Sequence, residues 1–214
     1  MITDEKLIEQ YQHMHKSSKY GRTARSAVAT LQLCLDEVKP SSVLEYGCGQ
    51  SRLSDVLAKP GMTYDRYDPA IPSIAKIPAE KYEFLINTDV LEHIPEKDLD
   101  SVLSHFRSLT EHAYIRISTR LARNLLPNGE NAHCTVWPGE KWLEFIKRYY
   151  PDAQMPYDEA GETCVILTWN SGLAETIHEM ESKWAQRKVK PVRRFFKSVE
   201  LFGRRLRDSV FGNR

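Results

Sequence analysis

Apolar positions along the chain recur in two different periods, and the switching between them predicts its elements. Residues 1–20 carry helical spacing that breaks at the polar turn SSKYG. Ala27, Leu31, Leu35 and Val38 predict a second helix over 23–38, stopped by Lys39-Pro40-Ser41-Ser42. The compact apolar run 42–46 (SVLEY) reads as a buried strand entering a glycine turn, GCG. Leu53, Val56 and Leu57 give 51–57 helical spacing, closed by Lys59-Pro60-Gly61. Strands are predicted over 63–67, ending at Asp68-Pro69, and over 82–87 (YEFLIN), ending at Thr88-Asp89. Pro95 opens a helix with Leu99, Val102, Leu103 and Phe106 on one face. Acidic residues crowd its first turn, where the helix dipole favours them.

A further strand is predicted over 113–118 (AYIRIS), a long loop over 119–136, a helix from Pro138 to Tyr149 and a closing strand over 165–169. Helical stretches follow over 173–188 and 192–210, with Pro191 between them. Strands alternating with helices at this spacing predict an α/β fold, with a largely parallel sheet covered on both faces. The organisation expected is an N-terminal helical region (1–40), a central α/β domain (41–170) and a helical tail (171–214).

Composition narrows this picture little. Hydrophobic residues make up 41% and charged residues 28% of 214 residues, which is ordinary for a folded domain. Thirty basic residues face 29 acidic ones, so the net charge of +1 does not point to nucleic acid. Cys34, Cys48, Cys134 and Cys164 are scattered without CxxC spacing, and each reads as a small core residue. The polar start MITDEKLIEQ lacks a signal-peptide layout, and no apolar run approaches the ~20 residues of a membrane span. A cytoplasmic protein with reduced thiols is expected.

The chemistry concentrates at strand ends. In LEYGCGQS, the strand turns abruptly through Gly47-Cys48-Gly49, with Glu45 two positions before the first glycine. Such a turn is expected to leave backbone N–H groups pointing outward and to let a ligand approach closely. The dinucleotide fingerprint needs a third glycine that Ser51-Arg52-Leu53 does not supply, which argues against NAD. Asp68 closes the next strand, where a carboxylate can accept both hydroxyls of a ribose. Gly47, Gly49, Asp68 and Asp89 would share the edge at which open α/β sheets bind ligands.

With these residues in register, the chain resembles class I S-adenosylmethionine (SAM)-dependent methyltransferases, from about Val43 to Trp169. Glu45-Tyr46-Gly47-Cys48-Gly49-Gln50-Ser51 is similar to the family's first motif, with Ser51 replacing its last glycine. Asp68 matches its ribose acid, and Asp89-Val90-Leu91-Glu92-His93 resembles a stretch common in small-molecule members. The resemblance implies a Rossmann-like, mostly parallel seven-stranded sheet with helices on both faces. The segment 71–78 is too short for a full helix and strand, so the fold is expected to be abbreviated after the second strand. The resemblance also implies that Glu45, Gly47, Cys48 and Gly49 hold the methionine and ribose side of SAM. Asp68 would bind the ribose, and Asp89 with Val90 would line the sulfonium side. Ahead of the sheet, Tyr11, Tyr20 and Gly21 could form a lid over the cofactor or belong to a packed N-terminal helix.

Methyl transfer from a sulfonium needs the acceptor positioned and, for a hydroxyl, deprotonated. His93, beside the expected methyl position, and His133, late in the long loop, are the catalytic candidates. Arg116, Arg120 and Arg123 could hold an anionic acceptor, and Arg120 and Arg123 could equally stand as solvated loop cations. Asp89-x-x-Glu92-His93 could hold a metal, but the same residues suit a helix start and a cofactor pocket, so no metal is expected. The resemblance thus implies a methyltransferase acting on an O or N atom of a small-molecule or glycan-type acceptor.

Beyond Lys183 the chain is strongly basic, and Phe195, Val199, Phe202, Leu206 and Val210 form an apolar stripe. Two readings of this tail stay open. It docks on an anionic membrane surface or a partner, or it folds back on the domain or pairs in a homodimer. Two other functions compete with the first. One is a nucleic-acid methyltransferase recruited by the tail, against which the absence of an NPPY-type signature counts. The other is a non-catalytic module that keeps the fold.

Overall fold

The computed structural model describes residues 5–17 and 23–186. The basic tail and Tyr20 therefore lie outside the described residues. The elements are α1 (Glu5–Ser17), α2 (Val28–Val38), β1 (Ser42–Tyr46), α3 (Ser54–Leu57), β2 (Thr63–Tyr67), β3 (Phe84–Thr88), α4 (Glu96–Leu109), β4 (Ala113–Ser118), α5 (Gly139–Lys147), β5 (Gln154–Glu159) and β6 (Thr163–Leu167). A last helix, α6, starts at 174 and is described to 186.

The sheet has six strands in the order β2-β1-β3-β4-β6-β5. Its first four strands are parallel neighbours, and β6 joins β4 antiparallel. The α/β, mostly parallel architecture is the one expected, with one strand fewer. Between β2 and β3 there is a single 3-10 turn, Pro72–Ile74, where a longer chain would place a helix and an outer strand. Strand β2 is consequently an edge, and its half-exposed TYDRY pattern fits that position.

Alternation along the strands sorts side chains into two cores. Val43, Phe84, Ile86, Tyr114 and Val165 face α2, where Leu31, Cys34 and Leu35 are buried. Leu44, Leu85, Ile115 and Ile166 face the opposite way, onto Leu103 and Phe106 of α4 and Trp142 of α5. Strand residues buried on both faces explain why β1 and β3 read as continuous apolar runs. The strand β5 was not visible in the pattern. Pro156 interrupts its QMPYDE sequence and a register shift separates Gln154 from Tyr157, both features of an edge.

Helix α6 is locked on by a buried ion pair. Arg116 on β4 lies 3.6 Å from Glu181, with side chains 5% and 3% exposed. Glu181 also accepts from the Thr30 hydroxyl at 2.7 Å, and the Arg116 guanidinium lies over the Trp184 ring. Glu181→Ala would strand a buried cation and is expected to cost about 3–5 kcal/mol. Denaturant unfolding of the two proteins measures this, and a loss under about 0.5 kcal/mol would show that α6 is not held this way.

Candidate active site

The end of β1 and the end of β2 are tied together by backbone and by one carboxylate. Gly47 N and Cys48 N donate to Tyr67 O at 2.8 and 3.1 Å. Gly49 N donates to Asp68 Oδ2 at 2.8 Å, and Asp68 Oδ1 accepts from Ala70 N at 2.8 Å. Arg66 reaches back to Gly49 O at 3.0 Å. The amides of the glycine turn are thus spent inside the protein, contrary to the outward N–H groups expected from the sequence. The turn offers no cradle for a phosphate, and α3 begins only at Ser54. Asp68 keeps further acceptor capacity, because a carboxylate has about four lone-pair sites and two are used here.

Gly47 has a φ of +71°, and a Cβ placed there would meet Val90 Cγ2 at 2.6 Å. The glycine therefore lets the side chain at the end of β3 close over the turn. Asp89, just before it, has a φ of +55° although it is not glycine. Strain of this kind persists where the surroundings impose it, often at binding sites. Asn87, buried on β3, donates to Tyr46 O at 3.1 Å and holds β3 to β1 beneath the turn.

These strand ends open into a cavity of about 680 Å3, within the ~300–1,000 Å3 common for small-molecule sites. Gly47, Cys48, Gly49, Asp68, Asp89 and Val90 line it, and so do His93 and His133. Glu45 is not on the cavity wall. It is buried beneath the turn, where Tyr64 donates to it at 3.1 Å and burial raises its pKa. Cys48 is a buried thiol pushed up to about 12, mainly by burial, so it is no nucleophile. Tyr11 and His15 of α1 reach the cavity from above, and His15 Nε2 stands 4.0 Å from Asp68 Oδ2. Of the residues expected to form a lid, Tyr11 lines the cavity, while Tyr20 and Gly21 lie outside the described residues.

Also on the cavity wall, His93 and His133 meet edge to face with ring centroids 4.7 Å apart. His93 Nδ1 stands 2.7 Å from Ala132 O, and His133 Nδ1 stands 2.6 Å from Arg120 O. A carbonyl only accepts, so each ring carries its proton on Nδ1. Burial pushes His93 down to about 4 and lowers His133, leaving both neutral at physiological pH. An imidazole held near 4 is a weak base, which counts against His93 as a proton acceptor. Glu92 is fully buried, and burial together with Asp89 raises its pKa well above the usual carboxylate range.

Of the arginines, Arg116 is paired with Glu181, and Arg120 lies 3.0 Å from Glu162. Arg116, Arg120 and Arg123 all line the cavity. Sequence reasoning missed His15, which carries no motif, and gave no role to Asn87, just ahead of the Asp89-Val90-Leu91-Glu92-His93 stretch.

The sequence pattern of a family described as "Methyltransferase domain" matches residues 19–153. Among curated proteins none matches the chain. Several solved structures share its fold. The DhpI–SAH complex superposes with a TM-score of 0.53 at 14% identity, over 75% of this chain and 95% of that one. PH0226 protein from Pyrococcus horikoshii OT3 gives 0.52 at 14% identity, over 72% and 97%. The 1,6-didemethyltoxoflavin-N1-methyltransferase of Burkholderia thailandensis, with 1,6-didemethyltoxoflavin and S-adenosylhomocysteine bound, gives 0.51 at 14% identity, over 76% and 84%.

The packing of Val90 on the turn can be tested by a paired substitution. Gly61 also has a positive φ, of +82°, but a Cβ there meets nothing within 4 Å. Gly61→Ala should lose about 1 kcal/mol from backbone strain alone, and Gly47→Ala about 2–3 kcal/mol. Adding Val90→Ala to the Gly47 variant should recover part of the difference. Equal losses at the two glycines would mean that Val90 moves aside freely.

Proposed function

The chain belongs to the methyltransferase-domain family, and from that premise we propose that it transfers the methyl group of SAM to an oxygen or nitrogen atom of a small-molecule or glycan-type acceptor. The observation that carries this reading is the convergence of the glycine turn and Asp68 on one cavity, 2.8 Å apart through Gly49 N. SAM has a ribose and a sulfonium but no phosphate. A site whose turn amides are consumed internally, and whose nearest carboxylate keeps spare acceptor capacity, suits that chemistry. It does not suit a dinucleotide.

Asp68 accepts the ribose hydroxyls, with Gly47, Cys48 and Gly49 forming the floor under the adenosyl and methionine portions. Glu45 acts from beneath, by fixing the turn through its place beside Tyr64. Asp89 and Val90 border the sulfonium, and the carboxylate favours that positive charge. His93 and His133 then face the acceptor. Of the solved structures above, the 1,6-didemethyltoxoflavin-N1-methyltransferase holds 1,6-didemethyltoxoflavin together with S-adenosylhomocysteine, and the volume of this cavity is in the range of small-molecule sites. Helix α1 closes the cavity from above with Tyr11, so the donor is shielded from water while the acceptor is aligned.

The barrier is lowered chiefly by alignment, because the methyl group arrives already activated. No nucleophilic side chain is required, in keeping with the inert Cys48 thiol.

Calorimetry with S-adenosylhomocysteine should give one site per chain and a thermal stabilisation equivalent to about 2.7 kcal/mol at a hundredfold excess over Kd. Asp68→Asn retains one acceptor oxygen and should weaken binding at least about tenfold, with a melting curve confirming that the variant is folded. No heat at millimolar ligand from the folded wild-type protein would defeat the proposal.

A further inference from the structure

Glu92, His93 and His133 come together from two separate elements, the turn after β3 and the loop after β4. One ligand atom from each lies within 4.8 Å of the others. Three features separate this cluster from ordinary packing. Glu92 is 0% exposed. Its Oε1 accepts from Ser118 N at 3.0 Å, while Oε2 has no hydrogen-bond partner. A buried carboxyl oxygen left without a protein donor is costly, and a bound cation would satisfy it.

Both imidazoles also direct Nδ1–H to a backbone carbonyl, Ala132 O for His93 and Arg120 O for His133. This fixes the tautomer that presents the Nε2 lone pair, which is how metal-binding histidines are oriented by their outer contacts. Tyr11 adds to the same arrangement, since its hydroxyl donates to Ala132 O at 2.9 Å and lies 3.1 Å from His93 Nδ1. The spacing is near that of a bound site, its widest pair within 4.8 Å. Ligands bound about 2.1 Å from one ion stand about 3–4 Å apart, and His133 Nε2 is 4.0 Å from Glu92 Oε1.

We propose that Glu92, His93 and His133 bind a divalent first-row transition-metal ion at the acceptor end of the cavity. Two imidazole nitrogens with one carboxylate favour manganese, iron, cobalt or zinc over calcium or magnesium. Asp89, on the same cavity wall, adds a second negative charge nearby. In the sequence Asp89-x-x-Glu92-His93 could hold a metal but suits a helix start and a cofactor pocket as well, so none is expected there. His133, supplied by a distant loop, makes the difference.

Resting on the SAM reading, the ion has a defined task. It coordinates an acceptor hydroxyl, whose proton leaves to bulk water and whose oxygen becomes a metal-bound alkoxide. The alkoxide attacks the methyl carbon; the carbon–oxygen bond forms as the carbon–sulfur bond breaks, and the sulfonium becomes a neutral thioether. This supplies the deprotonation that methylation of a hydroxyl needs. It also assigns the acceptor to the class of alcohols and phenols, with a diol or catechol able to chelate.

The test uses the full chain stripped of metal by a chelator. MnCl2 is titrated by calorimetry and by electron paramagnetic resonance, and S-adenosylhomocysteine is titrated on the same samples. One Mn2+ per chain is expected, bound at least about tenfold more weakly by Glu92→Gln and His133→Ala. If those variants fail to fold, pulsed resonance on the wild-type protein with Mn2+ should show couplings to two imidazole nitrogens. No binding at millimolar Mn2+, equal affinity in folded variants, or no imidazole coupling would overturn the site. Cofactor binding without an ion sinks the metal site alone. An ion bound without S-adenosylhomocysteine binding sinks the SAM reading and leaves the site standing. Neither ligand bound overturns both.

Discussion

The contact between Asp68 and the Gly49 amide is the constraint on which the rest of the site depends. It joins the C-terminal ends of the adjacent parallel strands β1 and β2, and it sets the glycine turn at the foot of the cavity. The sheet order places this joint where the chain departs from β1 toward β2 on one side and leaves β3 on the other. Parallel sheets bind ligands at such a switch point because the loops there diverge. Gly47 then admits Val90 against the turn, which brings the end of β3 into the same wall.

From this joint the cavity divides into regions of different chemistry. Near Asp68 it offers a carboxylate with spare acceptor capacity and a floor of backbone whose amides are already bonded. Around His93 and His133 it offers neutral imidazoles and the buried Glu92. The proposed sulfonium donor would lie between them, bordered by Asp89. Burial is the common physical cause of the departures in proton affinity: it raises Glu92 and Cys48 and lowers His93. The two buried layers on either face of the sheet give the strand ends a rigid base, so positioning by these side chains is within the reach of the fold.

Much of this was legible in the sequence because it is local. SVLEY followed by GCG, the spacing to Asp68 and the apolar run before Asp89 each declare a strand end within a few residues. The short 71–78 segment likewise foretold the abbreviation after β2, although not that the sheet would close with six strands. What could not be read is long-range or irregular. Pro156 hides β5 by breaking its alternation. The approach of His133 to Glu92 depends on how the loop after β4 folds back, and no spacing encodes it. The spending of the turn amides on Tyr67 and Asp68 is also a tertiary event, which corrected the expectation of outward N–H groups. Glu45, a motif residue, turned out to lie under the turn and not on the cavity wall.

A crystal structure of the protein soaked with S-adenosylhomocysteine tests the central claim most directly. The account predicts ribose density within hydrogen-bonding distance of the Asp68 carboxylate, with the thioether sulfur beside Asp89 and aimed toward His93 and His133. Density for the ligand away from the glycine turn, or with its ribose turned from Asp68, would contradict it.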